Sequence, residues 1–525
     1  MNFNVGTFLT KRAQRNPSKP AIISESSAFS FRELNERSNR WADAFGDSHL
    51  KKGERVGILL QNRNEFLEAF FGLAKIGAVL VPLNWRLAPP ELEYICGDSG
   101  LTRLIFSIEF RETIETIKSG LGVQDYIGVG SQTPSWVKDS EFVSKYGCAE
   151  PKLAGGGYDP AAILYTSGTT EHSTGHPLGV VRDHLSFLWL STGLVATLDF
   201  RPEDRILVVP PLCYGWGLNC VINAVHMGCT TILMRTFDAL QVLKTIQEQK
   251  VDTFLAVPKM LQQMTLVPNF EKYLGGLRTL ETSEGVPRQL LEKSMPRSII
   301  VRSGYGLTEA GYVTITSGPD IVEKPDSVGH PLFCTEVRVV NEDRFDLPPG
   351  EVGEILVKGP AVTKEYWANP EATEEAIRDG WLHTGDLGKL DEDGHVYVIG
   401  RIKDIIRSGG ESVSPMEVEN VLYQHPKVLE VGVLGQPDMV WGERVCAIVK
   451  PREGASLTLE DVVAFCHGKL AHFKIPKEVI LTNAPLLRNP NGKLLRKGLR
   501  ERLHLDGNDS SGPNESTRPK SLDHH

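Results

Sequence analysis

Short apolar blocks along this chain alternate with longer stretches whose apolar positions recur every three or four residues. Ala21–Ser24 and Val56–Leu60 are compact apolar runs and predict strands. Asn64–Ile76 has helical spacing, with Asn64 placed to cap its start, and the apolar run Ala78–Leu83 follows. The same rhythm continues with strands near Leu104–Phe106 and at Ile163–Tyr165, then a helix after Asp183. A strand at Arg205–Val209, a helix near Leu218–Met227, a strand at Thr230–Met234, a helix over Leu240–Gln249 and a strand at Thr253–Val257 follow. Strands alternating with helices predict parallel sheets in an α/β fold. No repeat of solenoid period is present. Ile206–Met234 carries no acidic or basic residue, but Pro210-Pro211, Asn219, Asn223 and His226 make it a buried strand, loop and helix rather than a membrane span.

The pattern changes at Gly329. Short strands such as Glu336–Val340 and Gly353–Lys358 are separated by Pro348-Pro349-Gly350 and Gly359-Pro360, which predicts a small β-rich subdomain over about 329–400. After Gly400-Arg401 a compact α/β unit starts afresh: helix Pro415–Tyr423, strands Val428–Leu434 and Arg444–Val449, helix Leu459–Leu470, with Thr458 and Asp461 as a capping box. The expected domains are therefore residues 1–401, residues 402–505, and a disordered, Gly/Ser/Asn/Pro-rich tail over 506–525.

A length of 525 residues exceeds what one core supports, in keeping with several domains. The net charge of -9 argues against nucleic acid or an anionic membrane surface as main partner, so any phosphate site must rest on a few placed cations. Met1–Arg15 lacks the apolar stretch of a secretory signal. None of the eight cysteines forms a C-x-x-C pair and several lie in apolar runs, so reduced thiols and a cytoplasmic protein are expected.

Four stretches carry chemistry. After the strand ending at Tyr165, Thr166-Ser167-Gly168-Thr169-Thr170 sets four hydroxyls around one glycine, suited to wrapping an anion or to a plain surface hairpin. It is not a Walker loop, because no Gly-Lys-Ser/Thr follows. Tyr305-Gly306-Leu307-Thr308-Glu309 offers an aromatic face, a glycine turn, a hydroxyl and a carboxylate able to hold a hard cation. Trp381–Leu387 places Asp386 just after Gly385, suited to paired ribose hydroxyls or to an Asx turn. Gly400–Asp404 alternates cations with a carboxylate at the boundary between composition regimes, where a solvated linker is the plain alternative.

Taken together and in order, YTSGTT, YGLTE, WLHTGDLG, GRIKDII with SGGE, and PNGKLLRKGLR closely resemble the adenylate-forming superfamily of acyl- and aryl-CoA synthetases, luciferases and peptide-synthetase adenylation domains. The resemblance spans about Phe8 to Arg502. It implies a large N-terminal domain of two sheet–helix subdomains plus a small β-barrel-like one, followed by a smaller mobile α+β C-terminal domain. It implies ATP-dependent activation of a carboxylic acid to an acyl-adenylate, then transfer to a thiol, usually CoA, with Mg²⁺ as cofactor. By the same resemblance Thr166, Ser167, Gly168, Thr169 and Thr170 match the phosphate loop, Tyr305 between Gly304 and Gly306 the adenine position, and Thr308 the α-phosphate side. Glu309 matches the Mg²⁺ ligand, Asp386 and Arg401 the ribose contacts, and Lys493 the lysine bridging carboxylate and α-phosphate. Lys403 matches the hinge, and Gly409-Gly410-Glu411 the loop lining the pantetheine tunnel. Trp441 and Phe473 resemble aromatics that hold the CoA adenine, with Lys474, Lys477 and Arg86 candidates for its 3′-phosphate; packing and surface charge is the equal alternative.

Two departures stand out. The family's loop usually reads T-T-G-x-P-K-G, whereas Glu171–Thr174 intervene here and Leu178 stands where the lysine belongs, so one nucleotide-facing cation is missing. His172 and His176 are set among Gly175 and Pro177, against a helical metal pair. Tyr214 occupies a position where a histidine often closes the acyl pocket. With Trp216, Gly285 and Val286 it is expected to contact the acid, and its bulk favours an aromatic or medium-chain acid. An enzyme loading a carrier-protein pantetheine, a luciferase-like oxygenase and a weakened binding homologue remain as alternatives.

Overall fold

The computed structural model describes residues 3–25, 27–130, 142–166, 176–282, 298–316, 319–488 and 494–502, with backbone alone at 137–138 and 497. The chain divides into two compact units, Met1–Val398 and one that begins at Ile399.

In the first unit a seven-stranded sheet has the order Val137–Lys138, Asp125–Val129, Arg103–Ser107, Arg55–Leu59, Val79–Pro82, Pro160–Tyr165, Gly179–Asp183. All neighbours are parallel except the last pair. A nine-stranded sheet runs His330–Pro331, Gly311–Ile315, Ile300–Leu307, Thr279–Thr282, Thr253–Ala256, Arg205–Val208, Thr230–Leu233, Pro20–Ser24, Ala28–Ser30. The first strand of the chain thus joins the second sheet, parallel to Thr230–Leu233. Helices lie between the sheets: one core cluster joins Ile58 and Leu80 of the first sheet, Ile22, Val208 and Leu255 of the second, and Trp41, Phe70, Leu218 and Val221 from helices. Truncating one such aromatic, Phe70→Ala, costs about 3–5 kcal/mol through lost burial and the cavity left behind.

The Asn64–Ile76 helix forms, but Arg63 is its N-cap residue and Asn64 makes no capping bond. Instead the Asn64 amide donates to Ser24 Oγ and Ser27 Oγ at 3.2 and 2.5 Å, which ties the helix start to the hairpin of Pro20–Ser24 and Ala28–Ser30. The region Ile206–Met234 folds as a strand, the Gly215–Met227 helix and another strand. Among the described residues no helix is long and apolar enough to cross a membrane.

Also in this unit, Glu336–Val340, Gly353–Lys358, Trp381–Leu390 and Ile377–Arg378 form an antiparallel sheet.

The second unit has a five-stranded sheet ordered Glu411–Val413, Ile406–Ser408, Gly442–Pro451, Val428–Asp438, with Glu478–Leu481 parallel to Gly442–Pro451. Its core joins Val418, Leu422, Val433, Ala447 and Val462. The Thr458/Asp461 capping box forms with bonds of 3.2 and 3.1 Å. That helix ends at Cys466 rather than Leu470, because Gly468 adopts φ +76° and turns the chain out of the helix. Residues 506–525 lie outside the described residues.

Candidate functional site

Tyr305 to Glu309 form the end of a hairpin. Ile300–Leu307 pairs antiparallel with Gly311–Ile315, and the register slips between Tyr305 and Gly306. A Cβ on Gly306 would lie 2.3 Å from the Gly311 carbonyl oxygen, so only glycine allows this crossing. The Tyr305 hydroxyl donates to Asp386 Oδ2 at 2.6 Å. Asp386 does not sit on a free turn: Trp381–Leu390 is one strand, bulged where Thr384 to Asp386 pass between the partners of Leu356 and Glu354. Gly385 takes φ +66° there, Thr384 Oγ1 donates to the Ile355 carbonyl at 2.7 Å, and the Gly385 amide donates to Glu354 Oε1 at 3.1 Å. A bulge re-aims one side chain without ending the sheet, and here it fixes a buried carboxylate against Tyr305.

Glu309 is 2% exposed. Its Oε1 accepts a hydrogen bond from the Tyr366 hydroxyl at 2.8 Å, and its carbonyl accepts from the Thr363 amide at 2.6 Å. The neighbouring Thr308 carbonyl accepts from Arg182 Nη1 at 3.4 Å. A buried carboxylate oriented by a phenol is a hard-oxygen group suited to Mg²⁺.

Thr166, the first residue of the hydroxyl-rich stretch, is bonded to Leu178. Its amide donates to the Leu178 carbonyl at 2.9 Å, and its Oγ1 accepts from the Leu178 amide at 3.1 Å. Ser167, Gly168, Thr169, Thr170 and His172 lie outside the described residues, as do Gly285, Val286 and Lys493. Leu178 does not face a nucleotide as expected. It is 4% exposed and belongs to an apolar cluster with Val180, Ala310 and Tyr366, against which Tyr305 and Leu307 pack. An apolar side chain at that position gains more from joining this cluster than from facing an anion. The His176 ring stacks on Tyr94, centroids 4.5 Å apart.

On the other side of the hairpin, Trp216 Nε1 donates to the Tyr312 hydroxyl. A Cβ on Gly304 would lie 2.9 Å from Tyr312 Cε1, so the glycine lets that ring close in. Tyr214 precedes the Gly215–Met227 helix, accepts at its hydroxyl from Asn84 Nδ2 at 2.9 Å, and burial raises its phenol pKa. Glu281 stands on the same sheet, in register between Leu255 and Arg302, buried and with Oε1 unpartnered among the described residues. Burial pushes its carboxyl up to about 7, partly offset by Arg302. Sequence reasoning missed Tyr312, Tyr366, Glu281 and Arg182. The last two carry a signal, a charge inside an apolar strand pattern; nothing local marks Tyr366 as the partner of Glu309.

In the second unit Gly409 and Gly410 form the two-residue turn between Ile406–Ser408 and Glu411–Val413, with φ +61° and +84°. The Gly409 amide donates to the Trp441 carbonyl at 2.8 Å, and a Cβ on Gly409 would lie 2.9 Å from the Trp441 ring. Nothing stands within 4 Å of a Cβ on Gly410. The Lys477 ammonium lies 5.3 Å from the Trp441 ring centre. Phe473 packs on the core, while Lys474 is paired with both Glu417 carboxylate oxygens at 2.7 Å. Arg401 ends the Val396–Arg401 strand, and the exposed Lys403 lies in the short helical turn Ile402–Asp404.

Among the described residues Asp391, Asp393 and His395 are grouped closely enough to hold a metal ion. Lys324 Nζ already fills that place, at 2.7 and 2.6 Å from the two carboxylates and 3.1 Å from His395 Nδ1.

The family descriptions "AMP-binding enzyme" and "AMP-binding enzyme C-terminal domain" match residues 9–367 and 417–493. The chain is 37% identical over 507 residues to the long-chain-fatty-acid–CoA ligase FadD13 of Mycobacterium tuberculosis, covering 95% of this chain and 98% of that one. It is 35% identical to a feruloyl-CoA synthase of an Amycolatopsis species, covering 96% and 99%. Its fold is similar to that of ATP-bound MatB from Rhodopseudomonas palustris, with a TM-score of 0.87, 30% identity and coverage of 96% and 99%.

Proposed function

The chain belongs to the AMP-binding enzyme family, and from that premise we propose that it is an AMP-forming acid–CoA ligase acting on an aromatic or medium-chain acid. In the first half-reaction a carboxylate oxygen attacks the α-phosphorus of ATP, the bond to the bridging oxygen breaks, and pyrophosphate leaves. In the second the CoA thiol attacks the acyl carbonyl of the adenylate and AMP leaves. Phosphoryl transfer needs positioning and charge neutralisation more than acid–base groups, and the residues suit that need.

The observation that carries the reading is that one hairpin presents both Tyr305, bonded to Asp386, and Glu309, bonded to Tyr366. Tyr305 offers a ring face for adenine, and Asp386 a carboxylate for ribose hydroxyls once the nucleotide competes for it. Thr308 and the loop from Thr166 to Thr170 offer hydroxyls and amides to phosphate. Glu309 would hold Mg²⁺, which supplies charge neutralisation on the phosphates when bound. Lys493 is assigned to the charge gathering between carboxylate and α-phosphate, Arg401 to the ribose, and Lys403 to a hinge. Gly410, Trp441 and Phe473 are assigned to the CoA arm. The acid is assigned to Tyr214, Trp216, Gly285 and Val286. The Trp216–Tyr312 bond, with the Tyr312 ring packed on Gly304, supports aromatic rings at the acid position, which favour a compact acid over an extended chain.

The test is pyrophosphate release over a panel of short, aromatic, medium-chain and long-chain acids, with and without CoA. Thioester formed from aromatic or medium-chain acids, with AMP as coproduct, is the expected result. Turnover of long-chain acids alone would refute the pocket assignment, and release without any thioester would refute CoA as acceptor.

A further inference from the structure

Arg182 is a buried charge that packing among the described residues does not explain. It lies on the Gly179–Asp183 strand, 1% exposed, with Nε and Nη2 both buried and without a partner among the described residues. Among the described residues its polar contact is the single long bond from Nη1 to the Thr308 carbonyl, and its guanidinium lies 5.7 Å from the Phe187 ring centre. The two carboxylates that act on it, Asp183 and Glu309, are already engaged: Asp183 with Lys364 at 2.6 Å and with the Ser186 amide, Glu309 with Tyr366. Side chains two and four residues apart on a strand share a face, so Arg182 lies on the face that carries Val180 and Leu178. That face meets the hairpin bearing Tyr305 to Glu309.

Burying a guanidinium with two orphan donors costs free energy that the apo fold does not recover. Such a cost persists where a charge serves a bound ligand. Burial pulls the group's pKa down to about 10, so it stays cationic at neutral pH. Its charge acts through a poorly screened interior on whatever binds at Thr308 and Glu309.

We propose that Arg182 is a positioning residue for the nucleotide: a fixed buried cation that holds the Thr308 carbonyl from the core side and offsets the polyphosphate charge. It supplies from within the fold a positive charge that the apolar Leu178 cannot. The inference rests on the ATP-binding reading above and adds to it a stability–function conflict at one residue.

The experiment compares the wild-type chain with R182M and R182K, measuring apo thermal stability and ATP affinity by titration calorimetry. R182M is expected to raise apo Tm, because an apolar side chain of similar length replaces an unpaired buried charge. It is also expected to weaken ATP binding on the order of tenfold, the scale of one desolvated charge. R182K should keep ATP affinity within about threefold by keeping the charge. If R182M binds ATP as wild type does, or loses stability or fails to fold, Arg182 is a structural residue and the inference is overturned. Equal loss of affinity in R182K and R182M overturns the charge argument. Absence of ATP binding by the wild-type chain overturns the functional reading itself, and this inference with it.

Discussion

Replacing Glu281 by glutamine removes one buried ionisation while keeping the shape of the side chain. Its side chain is 3% exposed, its Oε1 has no partner among the described residues, and it titrates at about 7 instead of 4.5 because burial penalises the anion more than Arg302 relieves it. A carboxyl whose pKa is raised on folding contributes its full stability below the unfolded pKa. That stability is lost as pH rises through the folded pKa. The window is therefore about pH 4.5 to 7, and the loss across it is about 3 kcal/mol. Thermal unfolding of the wild-type chain and Glu281→Gln, followed across about pH 5 to 8, checks this. The two should unfold at similar temperatures at the acid end, and the variant should be the more stable by several degrees above neutrality. Parallel profiles, with no divergence between pH 5 and 7, would refute the argument that Glu281 is held as a destabilised anion.

Lys493→Ala should slow adenylation by on the order of 10²–10³-fold while conversion of a supplied acyl-adenylate to thioester survives; equal loss in both half-reactions removes the assigned role. Tyr366→Phe strips a hydrogen bond from the Glu309 carboxylate, and should raise the Mg²⁺ concentration for half-maximal pyrophosphate release by about tenfold with the acid KM unchanged. Gly410→Leu should suppress thioester formation while first-turnover pyrophosphate release persists. The φ of +84° strains that variant, so its unfolding temperature is read alongside. Leu178→Lys puts an ammonium into an apolar cluster, and should lower stability by about 2–4 kcal/mol in a denaturant titration without lowering the ATP KM.

Local chemistry was legible in the sequence wherever it was written in adjacent residues. Apolar runs located strands such as Pro20–Ser24, Arg205–Val208 and Gly442–Pro451, though not Asp125–Val129 or Ile406–Ser408, and the Thr458/Asp461 box located a helix start, because strand burial and capping depend on near neighbours. Ordered motifs identified the hairpin Tyr305–Glu309 and the segment around Asp386 for the same reason. What they touch was not legible. Asp386 reads as a turn residue until the strand Trp381–Leu390 is seen to bulge around it, and a bulge is set by the partner strand, not by its own sequence. Leu178 reads as a missing cation, yet the cluster around Val180 and Ala310 makes it core. Glu309 finds Tyr366, and Arg182 finds Thr308, across separations of 57 and 126 residues. Such pairs are decided by how sheets stack and which face of a strand meets which hairpin. Those choices minimise exposed apolar area over the whole unit at once, so no single stretch of the sequence records them.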